Sequence, residues 1–391
     1  MPALVGALGI AQIISWGSMY YAIGVLGAPM RAELGVSELF LFGSFTAGLL
    51  VCGAIAPAAG RAIDRLGGSK VLSVGSVAGA LGMAVLAMAN GAAMVVLGWA
   101  IAGASMAATL YDPAFATLSQ HAGDKYRRAV TALTLLGGFA STVFWPLSKT
   151  LLDAFGWRAT WGIYAALQIA VCLPIHMFVI PARERRGSSA QARSDDRRAS
   201  NARPGLAKLN AAFAIANLVV GVVAVHMVGL LTGAGLTTSE AIAISVLMGP
   251  MQVAGRIVEM AFLKRAHATH VGVVALSLIV IAIVVLMLVS GGGVLALLFV
   301  MAYGAGNGIL TIVRGAAPAE MYGAEGLGGL LGHLSRASSY ARALGPATYP
   351  ALVAIGLGEG TSLAMLDALL AAGLVLYIAA IREAGRKRGL A

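Results

Sequence analysis

Charge is scarce in this chain: only 11% of its 391 residues are Asp, Glu, Lys or Arg, against about 25% in an ordinary soluble domain. So few ionised groups cannot cover a water-exposed surface, which excludes an ordinary soluble globule. Cysteine is rarer still. Cys52 and Cys172 stand far apart inside apolar runs, so no disulfide framework and no metal site is implied. No phosphate-cradling Gly-x-x-x-x-Gly-Lys-Ser/Thr loop is present, which leaves no nucleotide cofactor or ATP drive to read from the sequence. The net charge of +11 would suit nucleic acid, but the basic residues sit in short stretches between apolar runs. No RNA- or DNA-binding signature accompanies them, and nucleic acid is set aside as a partner.

Apolar residues are what the chain has in abundance: 59% of it is hydrophobic, with a mean hydropathy of +0.87. Segments of about 20 apolar residues span a hydrocarbon layer about 30 Å thick. Cutting at charges and at Gly, Pro and Asn clusters predicts twelve such runs. The first six are Leu4–Ala28, Leu39–Ala59, Val71–Met88, Met94–Leu118, Val130–Leu152 and Ala159–Ile180. The others are Leu209–Leu231, Ala241–Phe262, Val271–Val289, Val294–Ala317, Leu327–Leu352 and Ser362–Ile381. The first lacks the basic n-region of a cleaved signal peptide. Between the sixth and seventh runs, residues 181–208 carry eight basic residues and read as a disordered linker. The domains expected are therefore 1–180, the linker 181–208, and 209–391.

Lys and Arg cluster on one side of the predicted spans: Arg61, Arg65 and Lys70, then Lys125, Arg127 and Arg128, the linker, Lys264 and Arg265, and the tail from Arg382 to Arg388. Only Arg31, Lys149 and Arg158 fall on the other. The asymmetry places both termini and the linker in the cytoplasm, with the chain in the inner (plasma) membrane.

The halves echo each other. Gly60-Arg61-Ala62-Ile63-Asp64 recurs as Gly255-Arg256-Ile257-Val258-Glu259, 195 residues on (255 minus 60). Pro146 and Pro346 are 200 apart (346 minus 146). Ser105, Thr109 and Asp112 in the fourth run match Asn307, Thr311 and Arg314 in the tenth, each offset by 202 (314 minus 112 for the last). At helical spacing each trio forms one polar stripe, and duplicated halves with matched stripes are how transporters build a central site.

The stretch from Gly60 through Asp64, Arg65 and Gly67 to Lys70 resembles the loop signature of the major facilitator superfamily, with Gly68 and Ser69 where that family usually has basic residues. This resemblance implies an all-α membrane protein with twelve transmembrane helices in two pseudo-symmetric six-helix bundles. In a tight cytoplasmic turn, a carboxylate and guanidinium such as Asp64 and Arg61 hydrogen-bond neighbouring helix ends and exchange partners as the halves rock. Two short stretches, Tyr126-Arg127-Arg128-Ala129-Val130-Thr131-Ala132 and Gly156-Trp157-Arg158, resemble the monocarboxylate transporter and oxalate:formate antiporter branch. The first-helix signature of the eukaryotic carriers is not matched by Ser15-Trp16-Gly17-Ser18.

A charge inside a spanning helix costs about 2.5 to 3.5 kcal/mol on insertion scales and so needs a partner or a task. The charges here are Asp112, Arg314, Arg336, Arg342 and Asp367, with Lys149, Arg256 and Glu259 near helix ends. Asp112 and Arg314 read either as a structural salt bridge or as a gate, with Asp112 the carboxylate for any proton coupling. Branch resemblance implies an anion anchor in the eleventh helix, where Arg342 is central and Arg336 points about 120° away from it. Arg256 and Glu259 read as the second copy of the loop motif. Gln12, Trp16 and Tyr20 form a polar-aromatic stripe that either lines a cavity or packs. With more arginine than carboxylate in the candidate cavity, a small organic anion, a monocarboxylate or related acid, is the expected substrate of a monomeric secondary transporter, and a proton or substrate gradient its expected drive. A drug or metabolite exporter of the same fold, and a non-transporting membrane sensor or enzyme, remain open alternatives.

Sidedness is directly measurable. Single cysteines placed at Ser189 and at Glu359 should react from opposite faces of the membrane with an impermeant maleimide; labelling of both from one face would overturn the predicted topology.

Overall fold

Hydrocarbon offers the backbone no hydrogen-bonding partner, so a chain this apolar pairs its amides within helices. The computed structural model describes residues 1–181, 203–263, 265–291 and 293–387, and every regular element among them is helical. In order these are α1 (Pro2–Trp16), α2 (Ile23–Leu34), α3 (Glu38–Leu66), α4 (Gly68–Ala87), α5 (Ala92–Thr109), α6 (Tyr111–Ala122), α7 (Tyr126–Gly137) and α8 (Ala140–Leu167). They continue as α9 (Leu206–Gly233), α10 (Thr238–Ser245), α11 (Met248–Phe262), α12 (Ala268–Met287), α13 (Gly293–Tyr322), α14 (Leu327–Ala354) and α15 (Glu359–Lys387). Short π-helical segments at Gly17–Tyr21, Gln168–Cys172 and Ile175–Val179 and one 3-10 turn at Gly123–Lys125 complete the list.

Counted from turn to turn, these make twelve crossings, several of them broken within the span. Among the described residues nine helices are long and apolar enough to cross a membrane, one being the 88-residue run Ala92–Val179. That run divides at the turn Gly123–Lys125 and at Gly156, whose φ of 77° and ψ of 170° interrupt α8. Glycine suits that left-handed backbone. The eleventh run forms the helix α14 expected of it; Ser335, Arg336, Ser338, Ser339, Tyr340 and Arg342 lower its hydropathy, so it is not among the nine. One sequence expectation needs correction. The motif Gly60–Arg65 does not lie in a loop: it forms the last turns of α3, and the chain turns only at Gly67. The linker expectation falls almost wholly on residues outside those described, and its last residues, from Leu206, already belong to α9.

The chain forms two compact units, one of Met1–Ser189 with Gly326–Arg336, the other of Ala190–Glu325 with Ala337–Ala391. The core of unit 1 is aromatic: Trp99 meets Trp161 edge-on at 5.8 Å between ring centroids, and Phe45 meets Trp99 at 4.9 Å. Around it, helices approach until their backbones touch. A side chain at Gly103 of α5 would collide with the Gly48 carbonyl of α3, the small-residue contact that packs helices where lipid gives no hydrophobic drive. At its outer end Arg158 bonds Ala87 O and Ala89 O at 3.5 and 2.7 Å, capping α4. Arg158 also pairs with Glu33 at 2.8 Å and lies over the Trp157 ring, while Trp157 Nε1 donates to the same Glu33 at 2.5 Å. Gly156-Trp157-Arg158 thus ties together the ends of α2 and α4.

In unit 2, α9 and α15 run antiparallel, with Gly233 beside Glu359, Gly205 against Ala380, and Lys208 paired with Glu383 at 2.6 Å. Helices α11 and α13 meet through Gly255 against Ala305, Gly304 against Met251 and Gly308 against Gln252.

Gly103→Val should force α3 and α5 apart at a cost of about 1–3 kcal/mol, seen as a lower melting temperature in detergent. Gly162→Ala meets nothing within 4 Å, and should match or slightly exceed the wild type; equal melting of all three proteins would refute the close-contact account.

Candidate functional site

In unit 1 the candidate residues gather at a break. The fourth span stops at Thr109 and restarts at Tyr111, because Leu110 has extended backbone (φ −74°, ψ −161°). Gln12, 0% exposed on α1, donates its Nε2 to the Thr109 carbonyl at 2.6 Å. This bond satisfies one backbone group at the break and holds the amide in one orientation. Its other end, Oε1, is buried without a hydrogen-bond partner. Trp16, one turn further along α1, packs its ring on Tyr111 at 5.2 Å, on Tyr20 at 5.2 Å and on Tyr21 at 6.3 Å. Its indole Nε1 is likewise buried and unpartnered. The rings of Tyr20 and Tyr21 continue the surface to Phe45 and Trp145, the π-helical segment having rotated them out of the α-helical register. Asp112 stands in the first turn of α6, where exposed N–H groups favour a carboxylate.

The polar stripe expected from the repeat divides here. Ser105 and Thr109 are fully buried and donate to Gly75 O and Ser105 O, so their hydroxyls are used within the bundle. Asp112 remains partly exposed beyond the break. The sequence reading overlooked Gln168 and His176, both 0% exposed in the sixth span. Gln168 Nε2 donates to Ser15 and Ser18, and His176 Nδ1 lies 2.8 Å from Ser76 Oγ. An amide and an imidazole in an otherwise apolar run were the signal.

The loop motif also acquires partners in unit 1. Asp64 accepts from the amides of Gly328 and Gly329 at 2.9 and 2.6 Å, at the start of α14. Those amides have no partner inside their own helix, and the positive end of the helix dipole favours the carboxylate. Gly60 allows the approach, since a side chain there would strike Gly328 O. Arg61 and Arg65 are exposed. The second copy differs. In unit 2 Arg256 and Glu259 are 4% and 1% exposed inside α11, and Arg256 Nε donates to Gly308 O at 3.3 Å.

Helix α14 carries the other candidates. Pro346 and Pro350 lack N–H groups, so the carbonyls four residues earlier, of Arg342 and Pro346, lose their helical bonds. Helix α9 of the same unit meets both. The imidazole Nε2 of His226 lies 2.8 Å from Pro346 O, and Gly221 packs directly against Arg342 O. One turn away Arg342 donates to the Asn217 carboxamide oxygen at 2.5 Å, while Asn217 Nδ2 bonds Phe213 O. Arg342 is half-buried, its Nε has no partner, and no carboxylate pairs with it among the described residues. Arg336, assigned to unit 1, is exposed. On α13, Asn307 and Arg314 are half-buried, and Thr311 bonds Asn307 O at 3.0 Å. Asp112 and Arg314 belong to different units.

The sequence family described as Major Facilitator Superfamily matches residues 8–346. Among solved structures, the human organic anion transporter MFSD10 (TETRAN) superposes with a TM-score of 0.72 at 15% identity, covering 96% of this chain and 99% of that one. The proton:xylose symporter XylE gives 0.76 at 13% identity, covering 100% and 95%. FucP in its outward conformation gives 0.74 at 13%, covering 97% and 98%. No curated protein sequence matches the chain.

His226→Phe would leave the Pro346 carbonyl without its donor in a low-dielectric setting. The loss should be about 0.6 to 1.7 kcal/mol, read as a lower melting temperature that His226→Gln partly restores; an unchanged His226→Phe would remove the bond from the account.

Proposed function

Given that the chain belongs to the Major Facilitator Superfamily, we propose that it is a secondary transporter moving a small organic anion, a monocarboxylate or related acid, by alternating access. The observation that carries this reading is the environment of Arg342. A guanidinium in a spanning helix is met by the neutral oxygen of Asn217 and, among the described residues, by no carboxylate, with its Nε unsatisfied. A carboxylate completes the hydrogen bonding of such a group bidentately. Arg256 is the weaker anchor: it is 4% exposed and enclosed at the glycine contact of α11 with α13.

Within this reading Asp112 is the proton-coupling carboxylate, and Asp112 and Arg314 are the gating residues of their repeat-equivalent helices. Arg336, Asn307, Tyr20, Trp16 and Gln12 contribute to substrate binding. Asp64 with Gly60, Arg61, Arg65 and Gly67 locks and releases α14, and Gly255, Arg256 and Glu259 form its structural counterpart. The protein acts as a monomer in the plasma membrane with cytoplasmic termini. An exporter of apolar compounds is the second reading, supported by the aromatic surface of Trp16, Tyr20, Tyr21 and Tyr111.

Counterflow and pH-gradient uptake in proteoliposomes test the proposal with a panel of organic acids. Arg342→Ala should reduce anion transport on the order of 10- to 100-fold, and Arg342→Lys should keep part of it. Full activity of Arg342→Ala in both assays would eliminate the anchor. Asp112→Asn should spare counterflow while impairing accumulation driven by a pH gradient; loss of both together would count against a coupling role.

A further inference from the structure

Among the buried polar atoms of unit 1 that have no hydrogen-bond partner, an acceptor and a donor stand one turn apart on α1. Gln12 cannot rotate to hide its oxygen, because its nitrogen is committed to Thr109 O at the helix break. Its Oε1 is therefore a fixed acceptor, fully buried and unpartnered. Trp16 Nε1, four residues on and so on the same face of α1, is a donor with no acceptor. A buried polar group without a partner costs about 1–3 kcal/mol, and α1 carries two of them side by side. Around them lie ring faces and edges: Trp16 against Tyr111, Tyr20 and Tyr21, with Phe115 stacked parallel to Tyr111 at 5.5 Å. The break in the fourth span and the π-helical segment after Trp16 together place Tyr111 beside the indole.

One simple group both donates to a carboxamide oxygen and accepts from an indole N–H: a hydroxyl. A carboxylate only accepts and an ammonium only donates, so each would leave one of the two atoms unsatisfied. We infer that Gln12 and Trp16 of unit 1 bind a hydroxyl group carried by an aromatic or similarly flat apolar body, which the Tyr20, Tyr21 and Tyr111 rings receive. The class this selects in unit 1 is a hydroxylated aromatic compound, and on the anion reading above, on which that part rests, its acid members are the substrates. Discrimination follows from the same atoms. A ligand lacking the hydroxyl excludes water from both and replaces it with nothing, the situation in which binding sites reject an analogue most strongly.

Two matched pairs of probes separate the hydroxyl site from the anion reading: mandelate against phenylacetate, and mandelamide against phenylacetamide. Affinities are measured on the purified full-length protein in detergent by thermal shift and tryptophan quenching. In each pair the hydroxylated member should bind on the order of tenfold more tightly. Gln12→Leu, and Trp16→Phe, which keeps an aromatic ring while removing the N–H and part of the indole, should each erase that preference. Arg342→Ala should weaken both acids and leave the preference within the amide pair. If only the amides bind and show the preference, the hydroxyl site stands and the anion reading falls. If the acids bind without preference, the hydroxyl site falls alone. A preference that survives both unit 1 variants, or the binding of none of the four probes, would equally overturn it, the two atoms then being served by water.

Discussion

In a membrane interior a broken helix has no water to turn to, and most of the functional features of this protein are repairs to that shortage. Two places show it. At Leu110 the fourth span breaks, and Gln12 takes up the Thr109 carbonyl. At Pro350 the helix loses an N–H, and His226 meets the Pro346 carbonyl. Each repair draws a polar side chain into an apolar setting. What that side chain has left over after the repair, such as the Gln12 oxygen, is what a ligand can use. Ordinary helix ends are served in the same way, the carbonyls at the end of α4 by Arg158 and the amides at the start of α14 by Asp64.

Glycine supplies the complementary half of the design. Contacts such as Gly48 with Gly103 and Gly221 with Gly345 bring backbones together, and at Gly221 the neighbour reached is the carbonyl that Pro346 has freed. Tight packing and orphan carbonyls therefore occur at the same junction. In unit 2 this junction also holds Asn217, so that Arg342, proposed above as the anion anchor, the freed carbonyl and the donor His226 follow one another along a single pair of helices. Movement of α14 against α9 would alter all three together, which links the position of the anchor to the shape of the helix that bears it.

Much was legible in the amino-acid order because the bilayer imposes a long, simple pattern. Apolar runs of span length, the basic asymmetry between them and the internal echoes at Gly60 and Gly255 are local features, set by how lipid and water divide a chain, and they sufficed for the all-helical membrane fold. Which polar residue meets which lay beyond reach. Ser105, Thr109 and Asp112 share one stripe in an unbroken helix, yet the turn at Leu110 buries the first two and leaves only Asp112 partly exposed. Likewise Arg342 could be recognised as a costly charge, but not that its partner would be the neutral Asn217, 125 residues away. Spans follow from transfer free energies summed along neighbouring residues, whereas hydrogen-bond partners are chosen by geometry at a few ångströms between helices distant in sequence, and only the packed fold brings those atoms within reach.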